Sequence, residues 1–190
     1  MVNEGTIYAL ILSFMIWLLP IFVREFRRDW RMILAYWFVL TLHQAIAFTN
    51  LYWFTTLGAD ADAIRFHLAA AEIAKSREFI YGLGATFYRN ILGMLYTLFG
   101  VSQMLGQQLS LLAFAGSCIV LIKILSLLKL SYYRVPVLIA FGALPSMFFL
   151  GSIILRESYQ ILFFMLTTYL GIKMHIKVGL NRYLVFFVIS

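Results

Sequence analysis

Long uncharged runs alternate with short charged clusters along this chain. No Asp, Glu, Lys or Arg occurs from Met32 to Leu57, and none from Asn90 to Ile122. A hydrocarbon core ~30 Å thick needs roughly 20 predominantly apolar residues in a helix, so either run is long enough to cross it. Backbone polar groups must be satisfied internally in lipid, and these runs lack the strict alternation of barrel strands. The pattern therefore predicts an all-α fold, a polytopic transmembrane helix bundle. Its predicted spans are residues 7–23, 32–57, about 108–128, about 135–155 and about 158–172, with the start of another at 183. That last apolar run, 183–190, would rise only about 12 Å as a helix, too little to cross. Residues 1–190 are accordingly expected to form a single membrane-embedded domain that is incomplete at its C-terminus.

The stretch 88–104 fits this scheme least well. It is hydrophobic but interrupted by Gly93, Gly100, Ser102 and Gln103, and its apolar centre at 91–99 is too short to span. Charge decides how to treat it. If it does not cross, the clusters at 24–31, 123–134 and 173–182 share one side, and ten of the fifteen Lys and Arg lie there. If it crosses, only five share the side of 24–31. The excess of Lys and Arg on cytoplasmic loops favours a non-crossing hairpin. The outer loop 58–90 and residues 151–157 then lie at the outer surface, with every acidic residue except Glu25 and Asp29. The first apolar segment begins at the acidic Glu4, lacks a small-residue cleavage site and runs into an Arg cluster. It reads as a retained helix with its N-terminus outside, not as a signal peptide.

Composition agrees with the pattern. The chain is 63% hydrophobic and 12% charged, with mean hydropathy +0.92, whereas a soluble domain carries about a quarter charged residues. The net charge of +7 flanks apolar segments, so it reports topology and gives no sign of nucleic-acid binding. Cys118, the single cysteine, sits in an apolar run and reads as a small core residue.

The groups able to carry chemistry gather in the outer segments. In 58–79, Ala63, Phe66, Ala70 and Ile73 recur at helical spacing, while Asp62, Arg65, Glu72 and Lys75 fall on other faces. This predicts an amphipathic juxtamembrane helix with Asp60 or Asp62 at its start. An Asp there caps the helix and complements its dipole, and for Asp60 that role stands level with a functional one. Asp62 is the stronger functional candidate, because it is expected at the mouth of the bundle. Arg156 and Glu157 separate two uncharged runs. Arg156 reads by default as a snorkelling flank. Its outer position runs against the positive-inside trend, however, and Arg suits bidentate phosphate contact. Pro145 is expected to kink the preceding span and open its outer half. His43 and Gln44 fall mid-span and are expected to face the bundle and bond neighbouring helices. His67 is placed either to bind substrate or to make a local contact. Scattered histidines and one buried cysteine indicate no metal site, and no Gly-rich phosphate loop or Ser-His-Asp pattern is present.

The layout also resembles a family. The outer loop carries D-A-x-x-F-H-x-x-A at Asp62, Ala63, Phe66, His67 and Ala70. An L-F-G at Leu98, Phe99 and Gly100 is followed by Q-Q-L-S-L-L from Gln107, then A-L-P-S from Ala143 and L-R-E-S from Leu155. This order resembles the N-terminal, membrane-embedded portion of GT-C type glycosyltransferases, which use sugars carried on polyprenyl phosphate, and of related polysaccharide-assembly membrane proteins. The resemblance implies transfer of a sugar to an acceptor in cell-surface polysaccharide or glycoconjugate assembly, in a bacterial inner (plasma) membrane. It implies Asp62 as the catalytic carboxylate with Asp60 second, Arg156 holding the donor phosphate, and Glu157, His67 and Arg65 contacting substrate. The implied partners are the lipid bilayer and the polyprenyl-phosphate-linked sugar, with no divalent metal indicated. Family members are usually longer, with further helices beyond this point. The competing expectation is a non-catalytic subunit or scaffold whose charged outer loop docks another membrane subunit. A transporter or flippase ranks third, since it would need charges along a pathway through the membrane.

Overall fold

A computed structural model of the chain describes residues 3–53 and 62–176. All regular structure among them is helical: α1 (Glu4–Phe22), α2 (Arg24–Arg27), α3 (Trp30–Tyr52), α4 (Asp62–Ser76), α5 (Ala85–Phe99), α6 (Gln103–Leu127), α7 (Arg134–Ala143), α8 (Pro145–Gly151) and α9 (Glu157–Ile176), with a 3₁₀ turn at Ser131–Tyr133. Three of these, α1, α3 and α6, are long and apolar enough to cross a membrane, and α7 with α8 makes a fourth if the bent pair is one span. The start of the further apolar segment at 183 lies outside the described residues.

Short polar residues set the helix starts. The Asn3 side chain accepts from the Gly5 amide at 3.4 Å, Asp29 Oδ1 from the Arg31 amide at 3.0 Å, and Ser102 Oγ from the Leu105 amide at 3.5 Å. Each satisfies one of the donors that a helix start leaves unpaired. Ser102 thus starts α6 at Gln103, five residues before the expected boundary at 108. Gly100, at φ +86°, ends α5 in a conformation that favours glycine. It also lets the first turn of α1 press against it, since a Cβ on Gly100 would sit 2.8 Å from the Gly5 amide nitrogen.

The expected span at 135–155 is not one helix. Leu144 is extended (φ −58°, ψ 128°), as a residue before proline prefers, and Pro145 opens α8 from its first position. The axes of the two pieces meet at a 63° bend, and residues 152–156 are non-helical before α9 begins. Sequence spacing located this kink at Pro145 but not the second break after Gly151.

The bundle has two distinct ends. α6 is the central helix, packing on α1, α3, α7 and α9, and most of its residues are buried. At one end lie the α1–α3 turn and the α6–α7 turn, where Asp29, Arg31, Ser131 and Arg134 line one cavity. At the other lie Asn3, the end of α3, the start of α6 and residues 153–154; the Asn3 side chain there donates to the Val101 carbonyl at 2.6 Å. The paired helices α4 and α5 return the chain to the end at which α3 finished. α5 has 15 residues and is about 22 Å long, short of a crossing.

Candidate functional site

The sequence periodicity of α4 determines which of its faces is buried. Ala63, Phe66, Ala70 and Ile73 are buried against α5 and residues 153–155, while Asp62, Arg65, Glu72 and Lys75 are exposed. The helices approach closely because α5 carries Gly93 at the crossing: a Cβ there would lie 2.6 Å from Ile73 Cγ2 and 3.2 Å from the Ala70 carbonyl oxygen. On α5, Tyr88, Leu92 and Tyr96 form one buried stripe at four-residue spacing.

This packing builds a cleft of about 340 Å³ between α4 and the start of α6. Asn50, His67, Gln103 and Gln107 supply its polar groups, and Ile153 and Ile154 of the non-helical segment supply apolar wall. The cleft's histidine is fixed by one partner, since His67 Nδ1 and Tyr96 Oη lie 2.9 Å apart. Tyr96 reaches that position because α6 has Gly106 opposite; a Cβ there would lie 2.6 Å from the tyrosine oxygen. Burial lowers the His67 pKa below its usual 6.5, so the ring is neutral near pH 7. Burial likewise raises the Tyr96 phenol, with the Tyr159 hydroxyl adding to the effect, so Tyr96 stays protonated.

A second group of polar atoms adjoins the first at the start of α9. Arg156 Nε and Glu157 Oε1 are 3.5 Å apart, with the side chains 42% and 34% exposed. An exposed pair of this kind contributes at most about 1 kcal/mol, so it does little to hold the fold. Around it, however, Glu157 Oε2 and Ser158 Oγ are buried without a hydrogen-bond partner, and the buried Tyr88 hydroxyl faces the Ser110 side chain. Tyr88 stacks obliquely on Tyr159 at 5.5 Å between ring centres and meets Phe66 edge-on at 5.0 Å. Its phenol is pushed upward chiefly by burial, and further by the Tyr159 hydroxyl, with a hydrogen bond to Ser110 acting in the opposite direction and Tyr96 and Glu157 adding smaller upward effects. Arg156 reaches toward the turn before α5, where its Nη1 lies 3.8 Å from the position a Gly84 Cβ would take. Arg89 lies over the Phe66 ring at 5.6 Å.

The candidates named from sequence therefore separate. His67 lines the cleft, and Arg156 and Glu157 stand beside each other at the start of α9. Asp62 is exposed on the first turn of α4 and does not line the cleft; Arg65 is exposed as well. Asp60 lies outside the described residues. His43 and Gln44 pack as expected of mid-span polar residues. His43 Nε2 bonds the Gly142 carbonyl at 3.1 Å, its Nδ1 is 3.2 Å from Ser152 Oγ, and its ring stacks on Phe114 at 3.8 Å. Gln44 and Gln108 exchange amide bonds of 2.9 and 3.0 Å.

Sequence reasoning passed over Tyr88, Tyr96, Gln103 and Gln107. The four-residue spacing of Tyr88, Leu92 and Tyr96, and of Gln103 and Gln107, was the available signal, since each set shares one helix face. Among the described residues no group of three or more His, Cys, Asp or Glu could hold a metal ion. Comparison of the chain with protein-family models, with curated proteins and with solved structures finds no match.

Proposed function

We propose that this chain is a membrane glycosyltransferase of the GT-C type, moving a sugar from a polyprenyl-phosphate carrier to an acceptor hydroxyl at the outer face of a bacterial inner membrane. In this reading the N-terminus and the α4–α5 pair face outward. The observation that carries the proposal is the group at the start of α9: Arg156 and Glu157 beside buried Glu157 and Ser158 oxygens that have no partner. Native proteins seldom leave such atoms unpaired, and a bound substrate with hydroxyl and phosphate groups would pair them.

The chemistry asks for few groups. The acceptor oxygen attacks the anomeric carbon while its proton passes to a base. The bond from that carbon to the phosphate oxygen breaks, and the lipid phosphate leaves with the electron pair. Arg156 balances the phosphate charge, and the α4–α5 cover limits water. Asp62 is assigned as the base or acceptor-orienting carboxylate, with Asp60 behind it; Arg65 and Glu157 contact the substrate. His67 orients it and, being neutral near pH 7, is itself able to take a proton.

One observation favours a second reading, a non-catalytic subunit or scaffold of a larger membrane complex: Asp62 is exposed and stands off the cleft that His67 lines. The deciding experiment is native mass spectrometry of the detergent-purified chain with polyprenyl phosphate, comparing wild type with Arg156→Ala. Loss of one charge-assisted phosphate contact is expected to weaken binding by about tenfold or more. Equal binding by both proteins, or binding by neither, removes the transferase reading and leaves the subunit. Where binding follows Arg156, full transfer activity in Asp62→Asn would sink the assignment of Asp62.

A further inference from the structure

At the end of the bundle opposite α4 and α5, a cavity of about 410 Å³ opens between the start of α3 and the start of α7. Arg31, Arg134, Ser131 and Tyr132 line it, together with Asp29 and Met32. We propose that this cavity holds the phosphate of an anionic bilayer lipid, with Arg31 and Arg134 as its two cationic arms. The proposal is independent of the transferase reading, which concerns the other end of the molecule.

Arg134 is built in for the task. Its Nη2 donates to Ser126 Oγ at 2.6 Å, which fixes the plane of the guanidinium against the last turn of α6. Its Nε is buried and has no partner. A guanidinium offers five N–H donors in a rigid fork, and anchoring through one of them leaves the others for a planar acceptor such as phosphate. Arg31 is exposed at the rim, one residue into α3. Asp29 opposes an anion here, but one of its oxygens is engaged with the Arg31 amide at 3.0 Å. The surrounding charge outweighs it: across 24–31 and 129–134 there are six cations (Arg24, Arg27, Arg28, Arg31, Lys129 and Arg134) against two carboxylates (Glu25 and Asp29).

The aromatic residues at the cavity favour a lipid as the source of the phosphate. Tyr132 lines it at 89% exposure, and Trp30, 65% exposed, stands between Asp29 and Arg31 at the start of α3, a helix apolar enough to span. Aromatic rings of this kind settle at headgroup level, and basic pockets between helices on the positively charged side take anionic headgroups.

The test is native mass spectrometry of the detergent-purified chain titrated with dioleoyl phosphatidylglycerol, dioleoyl phosphatidylcholine and inorganic phosphate. Phosphatidylglycerol is expected to bind more tightly than the zwitterionic lipid. Arg134→Gln and Arg31→Gln are each expected to weaken it by about tenfold or more. Arg134→Gln also loses the Ser126 bond and could unfold the turn. Arg31→Gln alters only an exposed side chain, so it keeps the test decisive. Equal binding of the two lipids, or unchanged phosphatidylglycerol affinity in Arg31→Gln, overturns the proposal. Inorganic phosphate binding as tightly as the lipid, and displacing it, overturns the lipid as the source.

Discussion

A proline inside a helix removes the donor that would serve the carbonyl four residues earlier. In α1 that residue is Pro20 and the deprived carbonyl belongs to Ile16, in a part of the helix apolar enough to sit in lipid. The Tyr36 hydroxyl of α3 donates to it at 3.0 Å, and the Trp37 indole donates to the Trp17 carbonyl, also at 3.0 Å. The helix thus turns a local defect into an interhelical latch. Side-chain hydrogen bonds between membrane helices average about 0.6 kcal/mol and reach about 1.7 kcal/mol, because the separated helices find other partners. The Tyr36 bond belongs near the upper figure, since the Ile16 carbonyl has no N–H of Pro20 to fall back on. Tyr36→Phe is therefore expected to cost about 1–2 kcal/mol of unfolding free energy in detergent. In a Pro20→Ala background the same change should cost clearly less, because the backbone can again supply the donor. A cycle in which the two changes simply add would refute the compensation.

At the scale of elements, the α4–α5 pair is the part of the fold that carries the candidate site, and one glycine governs its closeness. A methyl group on Gly93 would meet the Ile73 side chain and the Ala70 carbonyl, and a backbone carbonyl cannot step aside as a flexible side chain can. Gly93→Ala is expected to destabilise the pair by about 1–3 kcal/mol, the usual cost of overpacking. It should also speed amide exchange in α4 while leaving the centre of α6 protected. Exchange that rises equally in α4 and α6 would mean that the pair has no separate stability. The contact between α3 and α7 uses the same device, with Val39 of α3 seated on Gly142 of α7. It positions the Gly142 carbonyl that His43 uses, so helix approach and polar pairing are coupled there.

For the whole molecule, the two ends differ in kind. One gathers the arginines of 24–31 with Lys129 and Arg134; the other holds α4, α5 and the start of α9, with mixed charges. In the orientation proposed above, which the charge bias favours, the first end faces the cytoplasm. In right-side-out membrane vesicles, Tyr81→Cys is expected to react with a membrane-impermeant maleimide at once, and Tyr132→Cys only after permeabilisation. Both positions are almost fully exposed, and the native Cys118 is buried, so it provides the unreactive background. Labelling of both from the same side would break the two-ended arrangement; reversed sidedness would keep the architecture and invert its orientation.

How far all this could be read from residues alone differs by feature, for a physical reason. The uncharged runs determined that the chain is helical, because lipid offers the backbone no other partners. Spacing alone also determined the buried face of α4 and the break at Pro145, since each depends on neighbours within a turn or two. Partners distant in sequence were decided only by tertiary structure. His67 meets Tyr96 across 29 residues, Gln44 meets Gln108 across 64, and His43 meets Ser152 across 109. Periodicity tells which side of a helix is buried but not what it is buried against. That depends on helix register, which here is set by close approaches at Gly5, Gly93 and Gly142. The same limit explains why Asp62, prominent in the sequence, stands apart from the cleft, while Tyr96, inconspicuous in an aromatic-rich chain, holds the cleft's His67, and Tyr88 lies buried beside the start of α9.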